Sequence, residues 1–281
     1  MTVTRLPINL IVNADDYGYY SCVSRGILQA VTNGRVTATG ILANAPGLEE
    51  QVSRLISHER LDLGIHLNLT SRHPLNAKMA ERLGKWNGQF PSAYGMAREI
   101  VSRRIGLDTV FMEWSAQVET LLGLGLKLRF INSHEHIHML PQLFKLTMEL
   151  AEEYQIPHIR LTRAEWMMPI SLASLLRNAP LQMLEWINAR HQSAHTPLFI
   201  GLNRSGKLDL RYLKQRFSTL KPVLTYELMC HPGQFNPAEI TDPKLLAYHA
   251  WESELAMLNS NEFMILLNEY NIRLVNYRDL T

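Results

Sequence analysis

The sequence predicts an α/β fold, namely a distorted or incomplete (β/α) TIM-like barrel with mostly parallel strands. Short apolar runs alternate with segments of helical periodicity along the chain, which is typical of a parallel sheet with helices outside it. Polar residues follow several of these runs, at the strand ends where catalytic groups gather in a barrel. They are Asp15 and Asp16, His66, His134 and His231.

The predicted strands are nearly continuous apolar runs, as expected for strands that are covered on both faces. They span residues 8–12, 37–43, 61–65, 126–131, 156–161, 222–226 and 272–276. The predicted helices between them span residues 21–33, 47–57, 109–122 and 142–154. About seven strands indicate an incomplete barrel, and we treat residues 1–281 as a single catalytic domain.

One segment interrupts this alternation. Residues 84–94 are rich in turn-forming residues, yet they include the aromatic residues Trp86, Phe90 and Tyr94. We expect a loop that lies over the strand ends and covers a substrate, with residues 84–108 as its extent. Simple packing of the loop aromatics is the alternative.

The composition excludes several classes of partner and places the chain in a compartment. The formal charge is +2 and no basic tract is present, which argues against nucleic acid or an anionic membrane as a partner. Two cysteines indicate a reducing compartment, and no apolar stretch reaches the ~20 residues of a transmembrane segment. A cytoplasmic enzyme is expected. The oligomeric state stays open, with a homodimer as one option.

The densest chemical signal is a group of three histidines after the fourth predicted strand. In an extended backbone His134, His136 and His138 would point to one face, since side chains two residues apart share a face. Three imidazoles on one face suit a metal ion or a proton-handling cluster. A polar loop with incidental histidines is the alternative.

Two adjacent carboxylates, Asp15 and Asp16, follow the first predicted strand. At a buried strand end they would repel each other and lose hydration, which is costly without a cation. With a metal ion present, one could bind the ion while the other faces a water molecule as a base. Capping of the following helix is the alternative. His66 alone is more typical of a structural histidine in a strand.

A combined site explains these residues better than separate roles. One carboxylate and two imidazoles would leave coordination positions open for water and substrate, as a catalytic metal site requires. Two imidazoles favour zinc, whereas the carboxylate and the open positions also allow magnesium or manganese. Cys230 and His231 are strand neighbours that face opposite ways, so they do not form a nucleophilic pair. The sequence has no nucleophile elbow, phosphate loop or dinucleotide-binding motif.

Four ordered motifs resemble the signature blocks of the YdjC-like carbohydrate deacetylases, which include chitooligosaccharide deacetylases and hopanoid-associated relatives. They are residues 13–18 (NADDYG), 64–70 (GIHLNLT), 132–141 (NSHEHIHMLP) and 231–233 (HPG). The resemblance runs from about residue 8 to the end of the sequence. It implies a β/α-barrel-like fold and metal-dependent removal of acetyl groups from N-acetylglucosamine units.

Carried over to this sequence, the resemblance implies a role for each motif residue. Asp16, His66 and His134 match metal ligands, and Asp15 matches the catalytic base. His231 resembles the histidine that protonates the departing amine. Two further histidines match positions that orient the ligands; they are His136 and His138.

Three more residues are candidates for the same site. Arg160, at the end of the fifth predicted strand, is a candidate to keep Asp15 ionised, and a surface salt bridge is the alternative. Trp86 and Tyr94 are candidates to cover a sugar ring. The resemblance leaves the substrate open among a chitooligosaccharide, a glycolipid head group and a cell-wall fragment. A metal-dependent phosphoesterase and an inactive carbohydrate-binding protein are the other hypotheses.

Overall fold

A curled sheet of parallel strands forms the centre of the computed structural model, which describes residues 6–167, 172–191 and 195–280. Within these residues the sheet has eight strands. They are β1 (Ile8–Tyr17), β2 (Ala38–Ile41), β3 (Asp62–Leu67), β4 (Leu128–Ser133), β5 (His158–Ile159), β6 (Leu198–Ile200), β7 (Thr225–Cys230) and β8 (Ile272–Leu274). Their order is β5-β4-β3-β2-β1-β7-β6, and β8 pairs with β1.

The long strand β1 is the hub of the sheet, because it pairs with three other strands. It runs beside β7 from Asn9 to Ala14, while β8 pairs with its first residues and β2 with its last. Among the described residues β5 pairs only with β4, and β6 only with β7, so the sheet is open between β5 and β6. This topology confirms the predicted incomplete barrel.

Helices cover the outside of the sheet. They are α1 (Ser21–Thr32), α2 (Leu48–Ile56), α3 (Ala77–Arg82), α4 (Ala93–Val101), α5 (Leu107–Gly123), α6 (Pro141–Glu153), α7 (Leu172–Asn188), α8 (Leu210–Phe217), α9 (Pro243–Tyr248), α10 (Trp251–Asn259) and α11 (Asn261–Glu269). Short 3₁₀ helices span Gly84–Trp86, His134–Met139, Ala189–His191, Leu202–Arg204 and Tyr277–Asp279. Across the described ranges, every helix is too short or too polar to span a bilayer.

The alternation of side chains along β1 separates two environments. Leu10, Val12 and Ala14 join the large apolar cluster under the helices. The intervening residues point into the curl of the sheet, where Ile11 packs with Phe130 and Tyr277. Asn13 and Asp15 follow Ile11 on this inner face, so β1 carries its polar residues towards the carboxyl end of the strand.

Several predicted elements differ from the observed ones. The expected strand over residues 156–161 shortens to His158–Ile159, and β6 was not predicted because a three-residue run shows no period. The predicted loop over residues 84–94 contains a 3₁₀ helix and the start of α4. Ser92 begins α4 by accepting a hydrogen bond from the Gly95 N–H, a capping signal present in the sequence.

Candidate metal centre

Three predicted ligands come together at the carboxyl end of the sheet. Asp16 Oδ1 lies 3.1 Å from His66 Nε2 and 2.8 Å from His134 Nδ1. All three ligand atoms lie within 4.8 Å of one another. Asp16 and His66 are buried and His134 is nearly so. These residues therefore form a compact O, N, N set of the kind that binds divalent transition metals.

The local backbone explains how neighbouring aspartates reach different partners. Asp16 has a left-handed φ of 71°, and the pairing of β1 with β2 shifts register between Ala14 and Tyr17. This bulge turns the Asp16 side chain towards His66 and His134, whereas Asp15 keeps the inward direction of the strand. A regular strand would have sent the two carboxylates to opposite faces.

Asn132 links His66 to Asp15. Its Nδ2 donates to Asp15 Oδ1 over 3.0 Å, and its Oδ1 lies 2.7 Å from His66 Nδ1. Because an ionised carboxylate only accepts, the amide oxygen must face His66, and His66 must carry a proton on Nδ1. In the neutral ring, the lone pair of Nε2 therefore faces the Asp16 carboxylate. Two lone pairs at this distance call for a cation between them, which suits a metal ion.

The electrostatics of the ligands agree with this interpretation. Burial would raise the pKa of Asp16, but the charge and the hydrogen bond of His134 hold that pKa well below its ordinary value. Burial would lower the pKa of His134, but Asp16 raises it above its ordinary value. The Asp16 carboxylate therefore stabilises positive charge beside it, as a ligand of a divalent ion must.

Asp15 and Arg160 form a buried ion pair beside these ligands. Arg160 Nη1 donates to Asp15 Oδ2 over 2.6 Å, and Nη2 donates to Oδ1 over 2.8 Å. Burial would raise the pKa of Asp15, but Arg160, and His66 and His231 nearby, lower it to about 2. The alternative of a surface salt bridge for Arg160 is wrong, because the side chain of Arg160 is fully buried.

Arg160 also contacts a second carboxylate that the sequence analysis did not identify. Its Nε donates to Glu227 Oε1 over 2.7 Å, and Asn13 Nδ2 donates to the same oxygen over 3.0 Å. Tyr277 lies below, with its hydroxyl 3.2 Å from Asn13 Nδ2. Glu227 stands within the apolar run of β7, and a charged residue inside a buried strand was the available signal for it.

The three histidines of the 134–138 segment do not share a face, so the extended arrangement predicted for them is wrong. The segment is a 3₁₀ helix in which Glu135 and His136 have left-handed φ angles of 51° and 54°. His136 Nδ1 lies 3.2 Å from Thr162 Oγ1. His138 contacts the Arg160 carbonyl through Nε2 over 2.9 Å. Only His134 reaches Asp16 among these three.

His138 is a buried support for the strand end that carries Arg160. Its Nδ1 lies 2.5 Å from Ser133 Oγ, and burial lowers its pKa to about 4. The ring is therefore neutral at neutral pH and holds the backbone of Arg160 in place. Burial and the charge of Arg160 likewise hold the pKa of His136 well below its ordinary value.

His231 follows β7 and is buried close to the centre. Its backbone N–H donates to Glu254 Oε2 over 2.6 Å, and its Nδ1 is buried without a hydrogen-bond partner in the described residues. The His249 ring lies 5.1 Å from that of His231 and stacks on Trp251. Because Nδ1 is enclosed, Nε2 is the nitrogen through which His231 can meet a substrate.

The two predicted covering aromatics lie outside this hydrogen-bonded centre. Trp86 is half-buried against the large apolar cluster, and Lys85 Nζ lies 3.9 Å from its ring centroid. Tyr94 is 82% exposed on α4. One aromatic residue beside the ligands was not predicted: the ring centroid of Tyr19 lies 5.0 Å from that of His134, and the Arg72 guanidinium lies over the Tyr19 ring.

Two glycines make room for the centre. A Cβ at Gly40 would lie 2.9 Å from Asn132 Oδ1 and 3.2 Å from His66 Nδ1. A Cβ at Gly64 would lie 2.5 Å from the Phe130 ring. Both glycines lie on neighbouring strands, paired in register. The absence of a side chain there lets His66 and Asn132 approach each other.

Known proteins resemble this chain over nearly its whole length. The family described as YdjC-like protein matches residues 9–269. A carbohydrate deacetylase from Geobacillus stearothermophilus is 30% identical, with 98% of each chain covered. A chitooligosaccharide deacetylase from Yersinia pestis (strain Pestoides F) is 29% identical, with 96% of this chain and 98% of that protein covered.

A solved structure shares the fold. It is a candidate cellobiose-phosphate cleavage protein from Enterococcus faecalis V583, with a TM-score of 0.73 and 24% sequence identity. The similarity covers 98% of this chain and 99% of that one. At this level of identity the comparison supports the architecture described above.

Proposed function

Because this chain belongs to the YdjC-like family, we propose that it is a metal-dependent hydrolase that removes the acetyl group from an N-acetylated amino sugar. Relatives that align with nearly the whole chain are named carbohydrate deacetylases and a chitooligosaccharide deacetylase. The observation that carries the proposal is the Asp16, His66 and His134 cluster with the ionised Asp15 next to it.

The buried charges favour one divalent ion in this cluster. Three carboxylates and one guanidinium form one connected set of contacts that runs through Asn132 and His66; they are Asp15, Asp16, Glu227 and Arg160. With neutral histidines the group carries two uncompensated negative charges, and buried charges need compensation. One divalent cation balances them. Zinc, magnesium and manganese all meet this condition, and the two imidazoles favour zinc.

Asp15 is the proposed base. A divalent ion held by the three ligands would polarise the acetyl carbonyl and lower the pKa of a water molecule. Asp15 accepts the proton that this water loses as its oxygen adds to the acetyl carbon. Because its pKa is about 2, the Asp15 carboxylate is ionised at neutral pH. The bonds from Arg160 and Asn132 hold it in one orientation, which lowers the entropic cost of the proton transfer.

His231 is the proposed acid. When the bond between the acetyl carbon and nitrogen breaks, the departing nitrogen needs a proton to leave as an amine. His231 supplies it from Nε2, since Nδ1 is enclosed. Glu254 fixes the backbone of His231 by accepting its N–H, and the same carboxylate accepts the N–H of Leu208. Acetate and a free amino sugar are the products.

Residues 84–108 are the proposed substrate cover. The helix α4 contacts the 3₁₀ helix that begins at His134, and Phe90 N donates to the Arg72 carbonyl. These contacts support a position of the segment beside the 3₁₀ helix that begins at His134, with Trp86 and Tyr94 as the proposed aromatic residues for a sugar ring.

The cellular context completes the proposal. Cys22 and Cys230 are both unpaired and buried, which suits a reducing compartment such as the cytoplasm. The substrate is an N-acetylated amino sugar rather than a nucleic acid, consistent with the small net charge of +2. A homodimer is the oligomer to test first.

A metal-dependent deacetylation assay tests the function. The protein is stripped with a chelator, reloaded with zinc, magnesium or manganese, and incubated with N-acetylglucosamine oligomers. Mass spectrometry should show the loss of one acetyl group, with acetate in solution, only after reloading. Glucose oligomers serve as the control without an acetamide. Phosphate release from sugar phosphates would favour a phosphoesterase, and binding without turnover would favour an inactive carbohydrate-binding protein.

A further inference from the structure

We propose that Glu227 is a positioning residue, which holds Arg160 so that its guanidinium presents a fixed pair of donors to Asp15. This inference rests on the proposed function, since Asp15 is the base in that reaction. Glu227 itself does not meet the substrate.

The contacts show one guanidinium shared between two carboxylates. The Nη1 and Nη2 groups of Arg160 face Asp15, while the Nε edge faces Glu227. Nη2 also lies 2.6 Å from Glu227 Oε1. A guanidinium offers donors in a planar fork, so fixing one edge fixes the direction of the other. Without Glu227, the edge of the guanidinium that carries Nε would lose its acceptor.

The register of the sheet places Glu227 behind Arg160. On β7, Glu227 pairs with Ile11 of β1, which lies deeper in the barrel than Asp15. Both Glu227 and Arg160 are fully buried, and Asn13, which lies two residues after Ile11 on β1, donates to Glu227. Asp15, by contrast, lies at the end of β1 that carries the metal ligands. The carboxylate of Glu227 therefore acts on the reaction only through Arg160.

Burial makes this arrangement rigid. Phe199 closes one face of the guanidinium, with its ring centroid 5.3 Å from Arg160 Cζ. A buried guanidinium that lost an ion-pair partner would seek another acceptor, because an unsatisfied buried charge is costly. The acceptor within reach is Asp15, so the loss of Glu227 should rotate the fork and the Asp15 carboxylate with it.

The test combines kinetics and NMR on the metal-loaded protein. Glu227→Gln keeps the size of the side chain and removes its charge. We expect kcat to fall about 10–100-fold, as is typical of residues that orient a metal or catalytic group, with KM within about twofold. In the Asp15→Asn background, Glu227→Gln should cause no further loss, because Glu227 acts on the reaction only through the orientation of Asp15.

Asp62→Asn is the matched control. Asp62 is also a fully buried carboxylate in an ion pair with an arginine, Arg278, but it begins β3 at the opposite end from His66. It should leave kcat unchanged. In the wild type and in Asp62→Asn, the Nε proton of Arg160 should exchange slowly with solvent. In Glu227→Gln its NMR resonance should shift, and the proton should exchange faster.

The outcomes separate the two proposals. Wild-type kcat in Glu227→Gln, or an equal loss in the Asp15→Asn background, would overturn the positioning role. Absence of acetate release from the wild type would overturn the proposed function instead. The Arg160 resonance then decides alone whether Glu227 holds the guanidinium, because it is read without turnover. If Glu227→Gln unfolds, Glu227→Asp, which keeps the charge and shortens the reach, replaces it with the same expectations.

Discussion

His66 and Asn132 are joined side chain to side chain over 2.7 Å, and this bond determines which nitrogen of His66 faces Asp16. The same amide donates to Asp15. One asparagine therefore orients the proposed metal ligand and the proposed base together, and its two ends cannot be exchanged without losing both bonds.

Replacing Asn132 with alanine should weaken both functions of the centre. The His66 ring would lose the acceptor that selects its tautomer, and loss of such partners typically costs about 10–100-fold in metal affinity or activity. Titration calorimetry with zinc on the metal-free protein measures the affinity. Asn178→Ala, which removes another buried asparagine away from the ligands, should bind zinc as the wild type does. Equal affinities for both variants would contradict the link.

Removing a ligand should abolish metal binding and turnover together. His66→Ala leaves Asp16 and His134 as an incomplete set, and two ligands hold a divalent ion poorly. Bound metal is measured by elemental analysis after dialysis, alongside acetate release. His58→Ala removes a histidine that follows α2 and should change neither quantity. Full metal content and activity in His66→Ala would show that the site lies elsewhere.

Substitution of Asp15 and substitution of Asp16 should have different effects on metal binding. Asp15→Asn should retain the metal and lose about 10²–10⁴-fold in rate, the usual contribution of a general base. Asp16→Asn should lose activity together with metal affinity, since a neutral amide is a weaker ligand than a carboxylate. Bound metal and turnover are measured for both variants in parallel. The opposite pattern would reverse the two assignments.

Gly40→Ala should damage the centre from the neighbouring strand. Its Cβ would lie within 3.2 Å of both Asn132 Oδ1 and His66 Nδ1, so one of these groups must move. Overpacking of this kind typically costs about 1–3 kcal/mol of stability, and metal affinity should fall as well. Gly123→Ala, where the added Cβ meets nothing within 4 Å, is the matched control for thermal unfolding and zinc binding. Wild-type zinc affinity in Gly40→Ala would refute the argument.

Trp86→Ala should reduce activity on sugar substrates and leave metal affinity intact. Trp86 also packs against the core, so the Trp86→Ala variant should have a lower melting temperature than the wild type. Tyr94→Ala removes an exposed ring and should raise KM without a change in melting temperature. Steady-state kinetics and thermal unfolding measure both effects. Unchanged kinetics in both variants, with only a lower melting temperature for Trp86→Ala, would favour simple packing.

The strand ends were the predictable part of this site. β1, β3, β4 and β7 have long apolar bodies, and their polar ends stand out for that reason alone. Alternation with helices then fixes parallel pairing, which brings the ends to one edge. The clustering of Asp16, His66 and His134 follows from these two facts.

Tertiary features lay beyond the reach of local patterns. Asp16, Glu135 and His136 adopt left-handed φ angles although none of them is glycine, the residue type that would have predicted such angles. Whether Arg160 pairs inside or outside the barrel depends on which face of a two-residue strand points inward. The role proposed for Glu227 depends on its contact with Arg160, which follows a different strand.

Tyr277 makes the centre depend on a part of the chain that follows all three proposed ligands in the sequence. It closes the bottom of the barrel, where it stacks on Phe130 and its hydroxyl meets Asn13, yet it follows every other member of this network in the chain. A ribosome that has released the strands up to β7 has produced all the ligands but not this floor. Truncation before residue 277 would therefore keep all three proposed ligands in the sequence but expose the buried side chains of Asn13 and Glu227 to water on this side.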